Sequence, residues 1–181
     1  MLILASSSPR RHELLLAAGI EHVVRPTSVA EIRQPGEPVR DFVKRLAREK
    51  SAAVRSRPDD VVLGADTVVV VDDEIFGKPV DCEDAVRMLR VLSGREHSVY
   101  TGIHLRRGNS EITEIAETRV RFLELTDAEI EEYTRSGEYS DKAGAYAIQG
   151  LASKFVSEIK GCYQNVVGLP VSLVYQCLKL L

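Results

Sequence analysis

The chain has 181 residues, 24 Lys and Arg against 27 Asp and Glu, and a formal net charge of −3. That length buries one substantial core and is marginal for two, so a single domain over residues 1–181 is expected, with room for two lobes and a cleft between them. The slightly acidic balance, without any Lys/Arg cluster interleaved with aromatics, argues against a nucleic-acid-binding surface, and no stretch is long enough to span a bilayer.

Cys82, Cys162 and Cys177 are odd in number, widely spaced and free of any C-x-x-C pair, which indicates neither a disulfide framework nor a thiolate zinc site. The opening Met-Leu-Ile-Leu-Ala is too short for a signal segment, so a cytoplasmic protein is expected. The histidines show no metal-ligand spacing, and any metal is expected on oxygen ligands.

Leu2 to Ala5 reads as a short strand, Ser6 to Ser8 as a loop, and Pro9 to Ala18 as a helix that Gly19 closes in the left-handed conformation. Ser8 is placed to cap the free amides of the first turn. Arg10 and Arg11 stand in that turn, where cations oppose the helix dipole. A bound polyanion reverses the sign, because free amides and guanidinium groups at a helix start favour an anion. A plain capped helix with solvated arginines is the alternative, against which the placement of both arginines at the unfavourable end counts.

Val23 to Ser28 follows as a second strand, with Glu31 in the loop beyond and Gln34-Pro-Gly-Glu-Pro as punctuation. From Pro38 to Arg55 a long helix is expected, since Val39, Val43, Leu46, Lys50 and Ala53 fall on one face. Lys50 thus lies on the inward stripe, where it either snorkels to the edge or reaches an anion in a site.

Val61 to Pro79 is the stretch around which the chain is organised. As a strand it is apolar on both faces, with Val62, Gly64, Asp66, Val68 and Val70 on one of them, which predicts a central strand of a covered sheet. A bare carboxylate there is costly, so Asp66 needs a cation, a metal or an exit. Gly64 offers the exit by letting the strand break or bulge. On the plainer reading Asp66 is a bulge residue bonded to local amides. Asp72 and Asp73 turn a hairpin towards Ile75, Gly77, Lys78 and Pro79, which could return Lys78 to the neighbourhood of Asp66.

Asp81 caps a helix carrying Val86, Leu89 and Leu92 up to Gly94. His97 to Leu105 and Ile112 to Leu123 form a hairpin around Gly108 and Asn109, and Thr126 with Glu129 makes a capping box for a helix ending at Ser136. Tyr139 to Gly150 is neither clean helix nor clean strand and mixes Asp141, Lys142, Tyr146 and Gln149. Gln149 offers a donor pair and an acceptor for a base or sugar edge, or is buried in a tight connection. A strand from Ala152 to Ile159, a turn at Gly161, an irregular Tyr163 to Leu169 and a helix from Pro170 complete the chain.

Six segments together resemble the Maf proteins, named for inhibiting septum formation: A-S-S-S-P-R-R from Ala5, G-A-D-T-V-V from Gly64, G-K-P from Gly77, L-S-G from Leu92, D-K-A-G-A-Y-A-I-Q-G from Asp141 and N-V-V-G-L-P from Asn165. The resemblance covers nearly the whole chain. It implies an elongated α/β fold of the inosine triphosphate pyrophosphatase type, with a mixed sheet flanked by helices and two lobes around a central cleft. It also implies hydrolysis of nucleoside triphosphates to the monophosphate and pyrophosphate, and a possible homodimer.

By that resemblance Asp66 is the proton acceptor, and Arg10, Thr67 and Gln149 match positions associated with substrate choice. Ser6, Ser8, Arg11, Lys50, Lys78 and Lys142 fall among phosphate-binding or nearby polar groups, and Glu31 joins Asp66 at a divalent metal, magnesium or manganese. The I-Q-G ending at Gly150 resembles the branch acting on dTTP and UTP rather than the branch acting on 7-methyl-GTP. The expected reaction is attack of water on the α-phosphorus, which needs concentrated positive charge. The rival from another class is a nucleotide-binding regulator of cell division.

Overall fold

Leu2–Ala5 is apolar at every position and buried along its length, and it forms the first strand, β1, of an α/β chain whose computed structural model describes Met1–Leu181. Six further strands follow in order: β2 (His22–Val24), β3 (Val61–Val71), β4 (Glu74–Phe76), β5 (Glu96–Arg107), β6 (Ser110–Phe122) and β7 (Val156–Lys160). The helices are α1 (Pro9–Ala17), α2 (Val39–Ala52), α3 (Cys82–Leu92), α4 (Asp127–Arg135), α5 (Tyr163–Val167) and α6 (Val171–Leu178). One mixed sheet runs β2-β1-β3-β5-β6-β7, with β4 paired to β3 off that path. β1 is parallel to β2 and β3, while β4 and β7 are antiparallel to their neighbours. No helix is long and apolar enough to cross a membrane.

The chain divides into two compact units, the first comprising Met1–Thr67, Tyr100–Ala116 and Gly168–Leu181, the second Val68–Val99 and Glu117–Val167. In the first, Ile3, Ala5, Val54 and Val62 form a buried cluster beside the β1–β3 ladder. α2 buries Phe42, Val43, Leu46, Ala47, Lys50 and Ser51 and turns its other charges outward. Two glycines set how closely it lies on the sheet. A Cβ on Gly64 would stand 2.1 Å from Ala47 O and 2.8 Å from Ser51 N, and one on Gly102 would stand 2.4 Å from Val43 O.

Those clashes are with backbone, so only glycine admits the helix at this distance. The expected break at Gly64 is thereby corrected: β3 runs without interruption from Val61 to Val71, and Gly64 stays in register with Ala5 of β1. The second strand is also shorter than expected. Its pairing with β1 covers only His22–Val24 and ends at Leu4↔Val24, and Pro26, which has no N–H to give a ladder, follows two residues later.

In the second unit the hairpin β3–β4 turns at Asp72 (φ 46°) and Asp73 (φ 66°), the left-handed pair that a two-residue turn between twisted strands requires. Asp81 caps α3 through its side chain, accepting from Asp84 N at 2.8 Å. α4 carries the full capping box of Thr126 and Glu129. Its Tyr133 packs edge-on against Phe155, and Phe122 packs against Tyr146 and His97.

Two expectations fail in this unit. Leu151–Phe155 is a tight 3-10 turn, so the strand begins only at Val156. Tyr163–Val167 is a helical turn rather than irregular chain, held because buried Asn165 donates to Val99 O and Thr118 Oγ1, each at 3.0 Å. Five residues are too few for a periodic pattern to declare itself.

Candidate active site

The carboxyl end of β1 delivers Ser6, Ser7 and Ser8 to the start of α1, where Pro9 supplies the first helical φ. Ser8 occupies the N-cap position with extended backbone, yet its side chain makes no capping bond, which corrects the expected cap, and the first turn holds no acidic residue. Ser8 N instead donates to Ser6 Oγ at 3.1 Å. The Ser8 hydroxyl therefore leaves the amides of the first turn uncapped, and Arg10, half-buried, lies in the same turn.

Arg11 takes a different course. It is 8% exposed and donates from Nε to Gly168 O (2.8 Å), from Nη1 to Ala65 O (2.8 Å) and Ser6 Oγ (3.1 Å), and from Nη2 to Thr67 Oγ1 (3.0 Å). Four of the five guanidinium N–H groups are thus engaged by the chain itself. Burial pulls the guanidinium down from its ordinary value, and the Asp66 carboxylate opposes that most. Thr67 Oγ1 also lies 2.9 Å from Thr101 Oγ1 and 3.3 Å from Gly168 O. Thr101 is fully buried and was missed in the sequence, where it alternates with Val99 and Ile103 as one more inward strand position.

Asp66 follows Gly64 by two residues, so its side chain leaves β3 on the face that α2 covers. Lys50, one residue before the Ser51 that packs on Gly64, reaches it there. The Nζ stands 2.6 Å from Asp66 Oδ1 and 2.6 Å from Glu31 Oε1. Asp66 is 4% exposed and Lys50 7%, which rules out a snorkelling lysine. Burial pushes the Asp66 carboxyl up from its ordinary range; the Lys50 ammonium is the strongest opposing influence, and neighbouring Glu31 acts in the same direction as burial.

The Lys50 ammonium marks a point where positive charge is held within 2.6 Å of an oxygen of each carboxylate. Asp66 and Glu31 are hard oxygen donors suited to magnesium or manganese. No group of three His, Cys, Asp or Glu residues gathers to hold a metal. The chain therefore offers a partial shell, which suits a hard cation that keeps water and phosphate oxygens among its ligands.

Lys78, Lys142 and Gln149 belong to the second unit. Lys78 follows Gly77, whose carbonyl accepts from Gly144 N at 3.0 Å, so the strap carrying Lys78 and the loop carrying Lys142 are joined backbone to backbone. The close fit needs glycine, since Gly144 is left-handed (φ 70°) and a Cβ there would stand 2.9 Å from the Val69 side chain. Lys142 pairs with its neighbour Asp141, and Gln149 is exposed.

A mixed α/β sheet here sets a lysine-paired aspartate beside the start of a helix that carries two arginines, an arrangement chemically suited to a polyanion. The family model described as Maf-like protein matches residues 1–181, and the chain belongs to that family. It is 53% identical over 175 residues to a dTTP/UTP pyrophosphatase of Anaeromyxobacter dehalogenans (strain 2CP-C), covering 94% of this chain and 89% of that one. A dTTP/UTP pyrophosphatase of Koribacter versatilis (strain Ellin345) is 49% identical over 179 residues, covering 98% and 93%. One of Symbiobacterium thermophilum is 50% identical over 178 residues, covering 98% and 92%.

Proposed function

We propose that this chain is a nucleoside triphosphate pyrophosphatase that hydrolyses dTTP and UTP to the nucleoside monophosphate and pyrophosphate in the cytoplasm. Its likeness to relatives of that name over nearly the whole chain supports the substrate. The observation that carries the chemistry is Asp66, a carboxylate buried on a central strand and held by Lys50.

Asp66 accepts the proton of the water that attacks the α-phosphorus. An ordinary aspartate is too acidic to be an effective base near neutral pH, and burial moves Asp66 in the useful direction. Lys50 keeps the carboxylate oriented through Oδ1 and adds positive charge where phosphate charge accumulates. The start of α1, with Arg10 and the Ser6 hydroxyl, takes phosphate oxygens, favoured by the positive end of the helix dipole. Arg11, its donors engaged, acts through its charge and by holding Ala65 and Thr67 on either side of Asp66.

Asp66 and Glu31 would hold a magnesium or manganese ion, which supplies charge neutralisation and acidifies water when bound. Lys78 and Lys142 add charge for the phosphate chain, and Gln149 reads the pyrimidine base through its amide.

A panel of purine and pyrimidine triphosphates with magnesium, with monophosphate and pyrophosphate both quantified, tests the reading. Stoichiometric monophosphate and pyrophosphate from dTTP and UTP, far above other bases, is the expected result. Binding without pyrophosphate release would indicate a nucleotide-binding regulator, and preference for 7-methyl-GTP would remove the role given to Gln149.

A further inference from the structure

Gln149 sits on a turn closed by Gly150 N donating to Ala147 O at 3.0 Å. Two side chains from outside that turn grip its ends. Tyr133 of α4, 1% exposed, accepts from Ala147 N at 3.2 Å and donates to Glu138 Oε1 at 3.3 Å. The Glu138 carboxylate accepts from Leu151 N at 3.1 Å on each oxygen. A continuous path of hydrogen bonds therefore crosses from the residue two before Gln149 to the residue two after it.

The sequence around this path is shaped to it. Gly137, at φ 73°, ends α4 and sends Glu138 back towards the turn, and Glu138 N donates to Ser136 Oγ at 3.2 Å. A Cβ on Gly150 would stand 2.3 Å from both Glu138 carboxylate oxygens, so the glycine after Gln149 makes room for the carboxylate. Burial first, and then Glu138, push the Tyr133 phenol up, so its hydroxyl keeps the proton it donates.

We propose that Tyr133 and Glu138 are positioning residues that clamp the 147–151 turn and so fix the register at which Gln149 meets the pyrimidine base. The proposal rests on the base-reading role given to Gln149 under the proposed function. Base selection by an amide depends on donor and acceptor being placed to a fraction of an ångström, and an exposed side chain on a short turn has little else to hold it. Nothing in the path touches the Asp66 and Lys50 chemistry, so its effect falls on discrimination between bases and not on the hydrolytic step.

Tyr133→Phe keeps the ring packed on Phe155 and removes only the hydroxyl, Glu138→Ala removes the carboxylate, and Glu138→Gln restores an acceptor for Leu151 N. With Gln149→Ala alongside, kcat and KM are measured for dTTP and for GTP, and amide exchange is followed at Ala147 and Leu151. In Tyr133→Phe and Glu138→Ala, KM for dTTP rises roughly fivefold with kcat and the GTP reaction little changed, since the lost bonds position the turn and do not themselves touch substrate. Glu138→Gln recovers most of the preference, and exchange quickens at Ala147 in the first variant and at Leu151 in the second.

If Gln149→Ala lowers the dTTP preference while Tyr133→Phe and Glu138→Ala do not, the clamp is overturned and the reading of Gln149 stands. Unchanged amide exchange also overturns it. If Gln149→Ala itself leaves the preference intact, the base-reading role fails and the clamp proposal falls with it.

Discussion

Lys50 meets Asp66 between α2 and β3 at 2.6 Å, with the lysine side chain 9% and the aspartate side chain 5% exposed. The contact exists because Gly64 lets the helix backbone touch the strand two residues earlier on the same face. An amide of equal size fills the same space but can neither take a proton nor offer a charge to the Lys50 ammonium. Asp66→Asn is expected to lower turnover on dTTP and UTP about a hundredfold or more. Pyrophosphate release checks this, with circular dichroism confirming that the variant is folded, and unchanged turnover would remove Asp66 from the chemistry.

Lys50→Met separates the two duties of the lysine. It leaves a buried carboxylate without its cation, which costs on the order of 3 kcal/mol of stability. If the ammonium holds the place of a divalent ion, magnesium should raise the melting temperature of Lys50→Met more than that of the parent chain. Melting curves with and without magnesium decide it. An equal response in both proteins would mean that the ammonium does not hold the place of a divalent ion between Asp66 and Glu31.

Arg10 and Arg11 are neighbours in sequence, but Arg11 is buried and Arg10 only half-buried. Arg11→Lys replaces a fork that reaches Gly168 O, Ala65 O, Ser6 Oγ and Thr67 Oγ1 with a single ammonium, which strands buried acceptors. A loss of about 2–4 kcal/mol is expected in urea unfolding. Arg10→Lys, which keeps the charge at a half-buried position, should change stability by less than Arg11→Lys does and instead raise KM for the triphosphate. The same stability loss in both variants would contradict the division of labour.

The sequence makes the strand carrying Asp66 legible because a lone carboxylate in a valine run is chemically conspicuous, and it makes Lys50 legible because a helical stripe admits few lysines. Capping residues likewise reveal α3 and α4, since Asp81, Thr126 and Glu129 act within three residues of themselves. Gly64 shows the boundary of such reading. Its place in the strand is visible, but whether it bends the chain or admits a neighbour depends on Ala47 and Ser51, which no local pattern connects to it. The commitment of Arg11 to Gly168, 157 residues away, is hidden for the same reason.

His97 provides a test that depends on pH. It is 2% exposed, its Nε2 lies 2.9 Å from Tyr146 Oη, and its buried Nδ1 has no hydrogen-bond partner. A protonated ring would need an acceptor at both nitrogens, and burial lowers its pKa from 6.5 to about 4. The folded protein thus keeps His97 neutral where the unfolded chain binds a proton. Stability from this group is complete above pH 6.5 and is lost as pH falls towards 4. At pH 5 the loss should be on the order of 2 kcal/mol. His97→Gln cannot titrate, so it should be less stable than the parent at pH 7, with the gap narrowing steadily as the pH is lowered from 6.5 to 4. Parallel stability curves across that range, measured by chemical denaturation, would show that His97 is not held neutral by its burial.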